Sequence, residues 1–236
     1  MNYSADINGI TVNAAYSDTT VNEVFIPLLK HLAQLHHEKQ RRILVMLAAP
    51  PATGKSTLVS FLEHLARSVI PEKRLQAVGM DGFHLRQEYL LMHKAEVDGK
   101  SFPMAGIKGA PITFDLDALT RKIREVSEGN ICRWPHYDRQ LHDPVDDAVT
   151  IDADIVLIEG NYLLLDMDDW RELSRYADYT IVLTADEDML RERLIERKMK
   201  TGMTREDAEH FVAFSDMPNV RLCLDKMMKA DLELSI

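Results

Sequence analysis

Gly54-Lys55-Ser56-Thr57 is the stretch with the narrowest chemical demands in this chain. A lysine after glycine can reach the β- and γ-phosphates of a nucleoside triphosphate, and the hydroxyl that follows can ligate Mg²⁺. Backbone N–H groups at a helix N-terminus surround phosphate oxygens, helped by the helix dipole. The full pattern G-x-x-x-x-G-K-[ST] is incomplete: Ala49 stands at the first glycine, and Ala52 occupies a second place where glycine is common. A small side chain suits Ala49 if φ stays negative, whereas a positive φ at Ala52 is strained without glycine. On the phosphate reading Ala52, Thr53, Gly54, Lys55, Ser56 and Thr57 cradle the nucleotide. The competing reading is a proline-rich turn with an accidental "GKST".

Two acids stand where such a cradle needs them. Asp81 in "GMDGFH" follows one apolar run, and Glu159 in "IVLIEGNY" ends another. Ligands of parallel α/β sheets bind at the carboxyl ends of strands. Moving a γ-phosphoryl group to a hydroxyl requires ordered Mg²⁺ and an acceptor for the hydroxyl proton. Asp81 fits the base, and Glu159 with Ser56 fits the magnesium shell; an ordinary turn or cap acid is the alternative for each. "MLRERLIERKMKTG" adds Arg191, Arg193 and Arg197, with Arg193 and Arg197 on one helical face. They could close over the phosphates, although Glu192 and Glu196 alternate with them as on any solvated helix.

These residues need a scaffold, and the apolar patterning supplies one. "INGITVNA" reads as a small hairpin turning at Asn8-Gly9. The spacing predicts an amphipathic helix over 19–37, kinked at Pro27. "RRILVMLAAP" is apolar without alternation, as in a strand buried on both faces. Strand, glycine-containing loop and helix then follow in the order that a phosphate loop requires. "LQAVGM", "ADIVLIEG", "YTIVLTA" and "ADLELSI" predict further strands, with "CRWPHY" extended. Helices are predicted over 115–127, 168–176, 186–200, 204–214 and 219–228. The last but one opens on a capping box, Thr204 to Asp207. Residues 97–111, rich in glycine and proline, read as a mobile or ligand-facing loop. The expected fold is α/β, a phosphate-loop NTPase fold with a mostly parallel sheet covered by helices on both faces. The expected organisation is a hairpin-and-helix extension over 1–40 and a kinase domain over 41–236, with a lid-like segment near 186–203.

Composition narrows the function classes. With 236 residues and 46% apolar content, the chain can bury one sizeable core. A net charge of -10 argues against a dedicated nucleic-acid binder. Cys132 and Cys223 match no metal or disulfide spacing, so a reducing cytoplasm is expected. No apolar run approaches ~18 residues and no basic-then-apolar leader opens the chain, so no membrane association is expected. A GTPase would need N-K-x-D, which is absent, and the signature of transport ATPases is absent too.

The segments "APPATGKST", "MDGFH", "KGAPITFD", "WPHYDRQLHDPV", "VLIEGNYLLLD", "RERLIERK" and "DMPN" together carry a resemblance. The chain resembles the uridine kinase, pantothenate kinase and phosphoribulokinase branch of phosphate-loop kinases. Within that branch it more closely resembles a set of bacterial uridine-kinase-like proteins sometimes catalogued as sugar-transport-associated kinases. The resemblance implies ATP and Mg²⁺ as cofactors, and Asp81 as the group activating the acceptor hydroxyl. It implies an acceptor pocket lined by Tyr137, Asp138 and His142, the Y-D-x-x-x-H of uridine kinases. Asp143-Pro144 departs from the x-Arg that follows there, which weakens a pyrimidine-nucleoside assignment. Lys108 in the "KGAP" signature becomes a candidate substrate or phosphate contact. His84 either orients substrate or packs on its turn; Tyr137 equally could pack, and Trp134 and Trp170 are assigned to packing. Asn219 receives no role.

The expected activity is an ATP-dependent small-molecule kinase acting on a hydroxyl of a nucleoside, sugar or similar metabolite. The partner is that acceptor, and a homodimer is added by family analogy. One alternative is a kinase of a phosphorylated acceptor held by Arg139 or Lys108. Another is a nucleotide-binding regulator with little turnover, to which the Ala52 departure points.

Overall fold

The computed structural model describes every residue except Asn8, Gly9, Asp98 and Ile236. β1 (Asn2–Ile7) and β2 (Ile10–Ala15) pair antiparallel as the alternation requires; the Asn8-Gly9 turn lies outside the described residues. The following helix runs through α1 (Asp18–Thr20), a π-turn at Val21–Phe25 and α2 (Ile26–Lys39). Pro27 is the reason for the wider turn. It has no N–H to donate, and its ring would collide with the carbonyl four residues back. The Ile26 N–H reaches Val21 instead, five residues back.

β3 (Ile43–Ala48) leads to α3 (Lys55–Val69) and β4 (Leu75–Gly79). Residues 97–111, expected as a loose loop, are more ordered than that. After α4 (Gln87–Met92), β5 (Lys94–Val97) and β6 (Lys100–Pro103) form a hairpin followed by 3₁₀ turns at Met104–Ile107 and Pro111–Thr113. Leu90, Ala95 and Met104 give this flap its own small core, which a reading of glycines and prolines overlooks. α5 (Leu116–Ser127) is capped by Asp115 and precedes a second hairpin, β7 (Cys132–Asp138) with β8 (Asp143–Ile151). β9 (Ile155–Gly160), a 3₁₀ helix at Asp168–Tyr176, β10 (Tyr179–Thr184), α6 (Glu187–Met199) and α7 (Arg205–Phe211) follow. A second π-turn at Val212–Asp216 precedes α8 (Met217–Lys226) and β11 (Leu232–Ser235).

The central sheet has the order β11-β10-β3-β9-β4 and is parallel throughout. Alternate residues of β3 serve opposite cores. Leu44 and Met46 pack with Phe83, Ile123, Trp134 and Trp170, while Ile43, Val45 and Leu47 pack with Phe25, Leu29, Phe61 and Leu62. That two-sided burial explains why the strand is an unbroken apolar run. Helix α2 and the hairpin before it belong to the second core: Tyr16 stacks on Phe61 at 4.4 Å, and Tyr3 Oη lies 2.7 Å from Ser60 Oγ. None of the described helices is long and apolar enough to cross a membrane.

Candidate active site

Strand register builds the site. Glu159 stands opposite Leu47 of β3 on one side and Gly79 of β4 on the other. The loop after β3 and the turn Met80–Phe83 after β4 therefore leave the sheet on either flank of its carboxylate. Gly79 leaves room for that carboxylate, because a Cβ there would lie 3.3 Å from Glu159 Oε1. Ser56, in the first turn of α3, donates from Oγ to Glu159 Oε1 at 2.7 Å. Burial raises the Glu159 carboxyl above its ordinary range; the Lys55 ammonium opposes this, Asp81 adds to it, and Ser56 and Arg139 oppose it.

The loop itself takes the conformation the sequence made costly. Ala52 has φ +66° and Gly54 φ +89°, whereas Ala49 is buried and stays out of the left-handed region. A left-handed alanine costs about 1–2 kcal/mol. Its methyl packs against the cluster of Leu190, Leu194, Val212 and Val220, where α6 and α8 meet the loop. Thr53 is buried and braces the loop, donating from Oγ1 to the Pro50 carbonyl at 2.9 Å. Thr57 is half-buried in the first turn of α3.

The β7–β8 hairpin packs beside the turn that carries Asp81. Trp134 Nε1 donates to the Gly79 carbonyl at 2.8 Å, fixing the hairpin to the end of β4. The backbone at Pro135 and His136 comes so close to Gly82 that any Cβ there would overlap it. This approach places Tyr137 within electrostatic reach of Asp81, and Arg139 within reach of Tyr137 and Glu159. Burial raises the Tyr137 hydroxyl, with Asp143 and Asp81 adding to it and Arg139 opposing. Asp81 is half-buried, and its carboxylate accepts no hydrogen bond among the described residues. His84 stacks on Phe114 at 3.9 Å and meets Tyr137 edge-on at 5.2 Å. It is packed on its turn, beside the site.

Lys108 differs from a solvated loop lysine. Its Nζ donates to Gln87 Oε1 at 2.7 Å and to the His142 carbonyl at 2.8 Å, above the Tyr137 ring. Burial lowers its pKa, with Asp143 opposing. His142 thus contributes its carbonyl, from a left-handed backbone of φ +55°, while the residue as a whole is exposed. Asp143 accepts from the Gln87 N–H at 2.6 Å and so caps α4. No spacing in the sequence pointed to Gln87 or to this use of Asp143, because their partners are far away along the chain.

Among Arg191, Arg193 and Arg197 the structure separates three environments. Arg191 pairs with Glu187 and Asp188 on its own helix and does not join the site. Arg193 reaches the Ala52 carbonyl through a long 3.4 Å contact. Arg197 makes no hydrogen bond or ion pair among the described residues. Desolvation lowers its pKa, Asp216 opposes, Arg139 lowers it further and Asp81 opposes. Ser56 bonds Glu159 at the carboxyl end of the sheet, Lys55, Asp81 and Arg139 lie within electrostatic reach of Glu159, and Arg139 and Asp81 lie within reach of Arg197.

A family model described as "Phosphoribulokinase / Uridine kinase family" matches residues 44–235. The chain belongs to this family. Among its relatives is "Uncharacterized protein YggC" of Escherichia coli (strain K12), 43% identical over 233 residues, which span 98% of this chain and 94% of that protein. A pantothenate kinase of Limosilactobacillus reuteri is 27% identical, with 79% of this chain and 64% of that protein matched. The crystal structure of a "putative fructose transport system kinase" from Silicibacter sp. TM1040 aligns with TM-score 0.80 and 28% identity, covering 89% of this kinase-family chain and 98% of that one.

Proposed function

We propose that this protein is an ATP- and Mg²⁺-dependent kinase that phosphorylates a hydroxyl of a small metabolite. The observation that carries the reading is the hydroxyl–carboxylate pair Ser56–Glu159, set between the phosphate loop and Asp81 by the register of three neighbouring strands. Two hard oxygen donors, one on a carboxylate whose burial disfavours its charge, fit a divalent cation. Ser56 and Glu159 would hold Mg²⁺, which supplies charge neutralisation to the triphosphate when bound. Lys55 and the backbone amides from Thr53 to Thr57 bind the phosphates, and Arg193 and Arg197 cover them. Asp81 accepts the proton of the attacking hydroxyl, and the β7–β8 hairpin with Tyr137 walls the acceptor pocket.

A second reading, a phosphorylated acceptor, is favoured by Arg139. Its guanidinium has no hydrogen bond or ion pair among the described residues, and its charge acts on Tyr137 and Glu159. The same experiment tests both. Purified protein with Mg-ATP is given pooled nucleosides, sugars, polyols, vitamins and their phosphates, and ADP release is followed with Lys55→Ala as control. Acceptor-dependent release abolished by the control is the expected result. Release only with phosphorylated pools, lost in Arg139→Ala, would select the second reading. ATP binding without release from any pool would count against turnover.

A further inference from the structure

Two buried side chains outside the proposed chemistry meet at Gly109. One is Asn219 of the "DMPN" segment, in the first turn of α8, whose Nδ2 donates to the Ser215 carbonyl at 3.0 Å. A Cβ on Gly109 would lie 3.8 Å from that nitrogen, so α8 backs directly onto the glycine. The other is Tyr162, three residues after Glu159 and fully buried. Its hydroxyl donates to the Gly109 carbonyl at 2.6 Å, while its ring packs edge-on against Phe114 and Trp170. The Gly109 N–H is bound as well, donating to the buried Thr113 Oγ1 at 3.0 Å. Gly109 has φ +104°, open to glycine and strained for other residues. Its donor, its acceptor and its conformation are therefore all fixed.

Lys108 is the residue before it, and its ammonium donates to Gln87 Oε1 at 2.7 Å and to the His142 carbonyl at 2.8 Å. Holding a flexible lysine on acceptors from two other segments costs side-chain entropy, and a fixed backbone limits that cost. We propose that Tyr162 is the positioning residue for Lys108: it anchors Gly109 from the end of β9 and so keeps the ammonium on α4 and on the β7–β8 turn. One strand end then places two parts of the site. Glu159 is set directly, and the β7–β8 turn is set through Gly109 and Lys108. Phosphoryl transfer rewards such alignment, because a misplacement of about 1 Å costs about 100-fold in rate. The catalytic use of this alignment rests on the kinase reading; the tie from Tyr162 to Lys108 does not.

The first arm of the test needs neither nucleotide nor acceptor. Amide hydrogen exchange is measured in wild type, Tyr162→Phe, Lys108→Met and the double variant. Tyr162→Phe keeps the ring and its packing and removes only the hydroxyl. Tyr162 makes no hydrogen bond or ring contact with residues 139–142 among the described residues. Even so, Tyr162→Phe should speed exchange there about fivefold, the factor that one ordinary hydrogen bond is worth. The double variant should exchange no faster than Lys108→Met. Ile123→Val, a truncation in the same core, should leave residues 139–142 unchanged. Unchanged exchange in Tyr162→Phe, additive acceleration in the double variant, or equal acceleration in Ile123→Val would each overturn the positioning. In the second arm, with an acceptor found by the pooled screen, Tyr162→Phe should raise the acceptor KM and leave the KM for ATP unchanged. An unchanged acceptor KM would overturn the catalytic use of the tie. Absence of acceptor-dependent ADP release in wild type would overturn the kinase reading instead, with the exchange cycle still deciding the tie itself.

Discussion

Ser56 Oγ donates to Glu159 Oε1 at 2.7 Å, tying the first turn of α3 to the end of β9. The two residues are far apart in sequence, and only the placement of β9 between β3 and β4 brings them together. The pair concentrates hard oxygen donors at the point where a parallel sheet offers its ligands. It also leaves Glu159 buried beside a second acid, Asp81, so the metal-free site carries unfavourable charge.

Replacing Glu159 by Gln separates these two consequences. Mg-ATP-dependent turnover should fall at least about 100-fold, as when a preorganised electrostatic group is lost. Stability of the metal-free protein should move the other way. A carboxyl whose folded pKa is raised contributes stability that is present below its ordinary value and lost as pH rises through the folded value. Urea denaturation in EDTA should therefore find Glu159→Gln more stable than wild type at pH 8, with the difference closing in acid. An equal difference at every pH would contradict the assigned burial.

Gly160→Ala tests the packing beneath the site. A Cβ there would overlap Met80 Sδ and Cγ, and Met80 is itself completely buried. Overpacking of this kind costs about 1–3 kcal/mol. Chemical denaturation should show that loss, and Met80→Ala in the same chain should recover part of it by vacating the volume. Stability unchanged by Gly160→Ala would mean that β9 and β4 have more freedom than the register suggests.

The parallel sheet was legible because β3 and β9 are buried on both faces and announce themselves as unbroken apolar runs. The phosphate loop was legible from four residues plus that context, and even the strain at Ala52 followed from the need for a positive φ. What stayed hidden depends on distant pairing. The β5–β6 flap has a core of only Leu90, Ala95 and Met104, too small to impose a period on its sequence. Lys108 was legible as a candidate substrate or phosphate contact, but its bonds to Gln87 and His142 were not, because both acceptors come from other segments. The arginines of α6 share one helix and one pattern, yet Arg191 is neutralised locally while Arg197 is not; residue type could not separate them.

His84 should give stability a pH dependence of its own. Burial lowers its pKa below the ordinary 6.5; Asp81 opposes this, Lys108 adds to it, and a hydrogen bond with Thr113 backbone opposes it. A depressed folded value means that the stability is present above 6.5 and is lost as pH falls toward the folded value, because the unfolded chain protonates first. His36 titrates in the same direction, so the informative quantity is a difference. Denaturation of wild type and His84→Gln between pH 7.5 and 5, conditions spanning the ordinary range, should show the wild type losing the greater share. Parallel profiles would remove His84 from the account.

Lys108→Met keeps the stem and removes the charge that joins its own segment to α4 and to the β7–β8 turn. Without it the Gln87 amide and the His142 carbonyl lose their shared donor, while Asp143 still caps α4. Charged hydrogen bonds that are partly exposed contribute about 1 kcal/mol each, so a small loss of global stability is expected. The larger effect should be local: amide hydrogen exchange should accelerate in residues 87–92 and 139–142 and stay unchanged in residues 50–57. With an identified acceptor, its KM should rise while the KM for ATP is unaffected, because the phosphate loop rests on β3 and α3 and not on these segments. Faster exchange confined to residues 139–142 would mean that Lys108 steadies the hairpin alone. Unchanged exchange with a raised acceptor KM would mean that its ammonium contacts the acceptor directly.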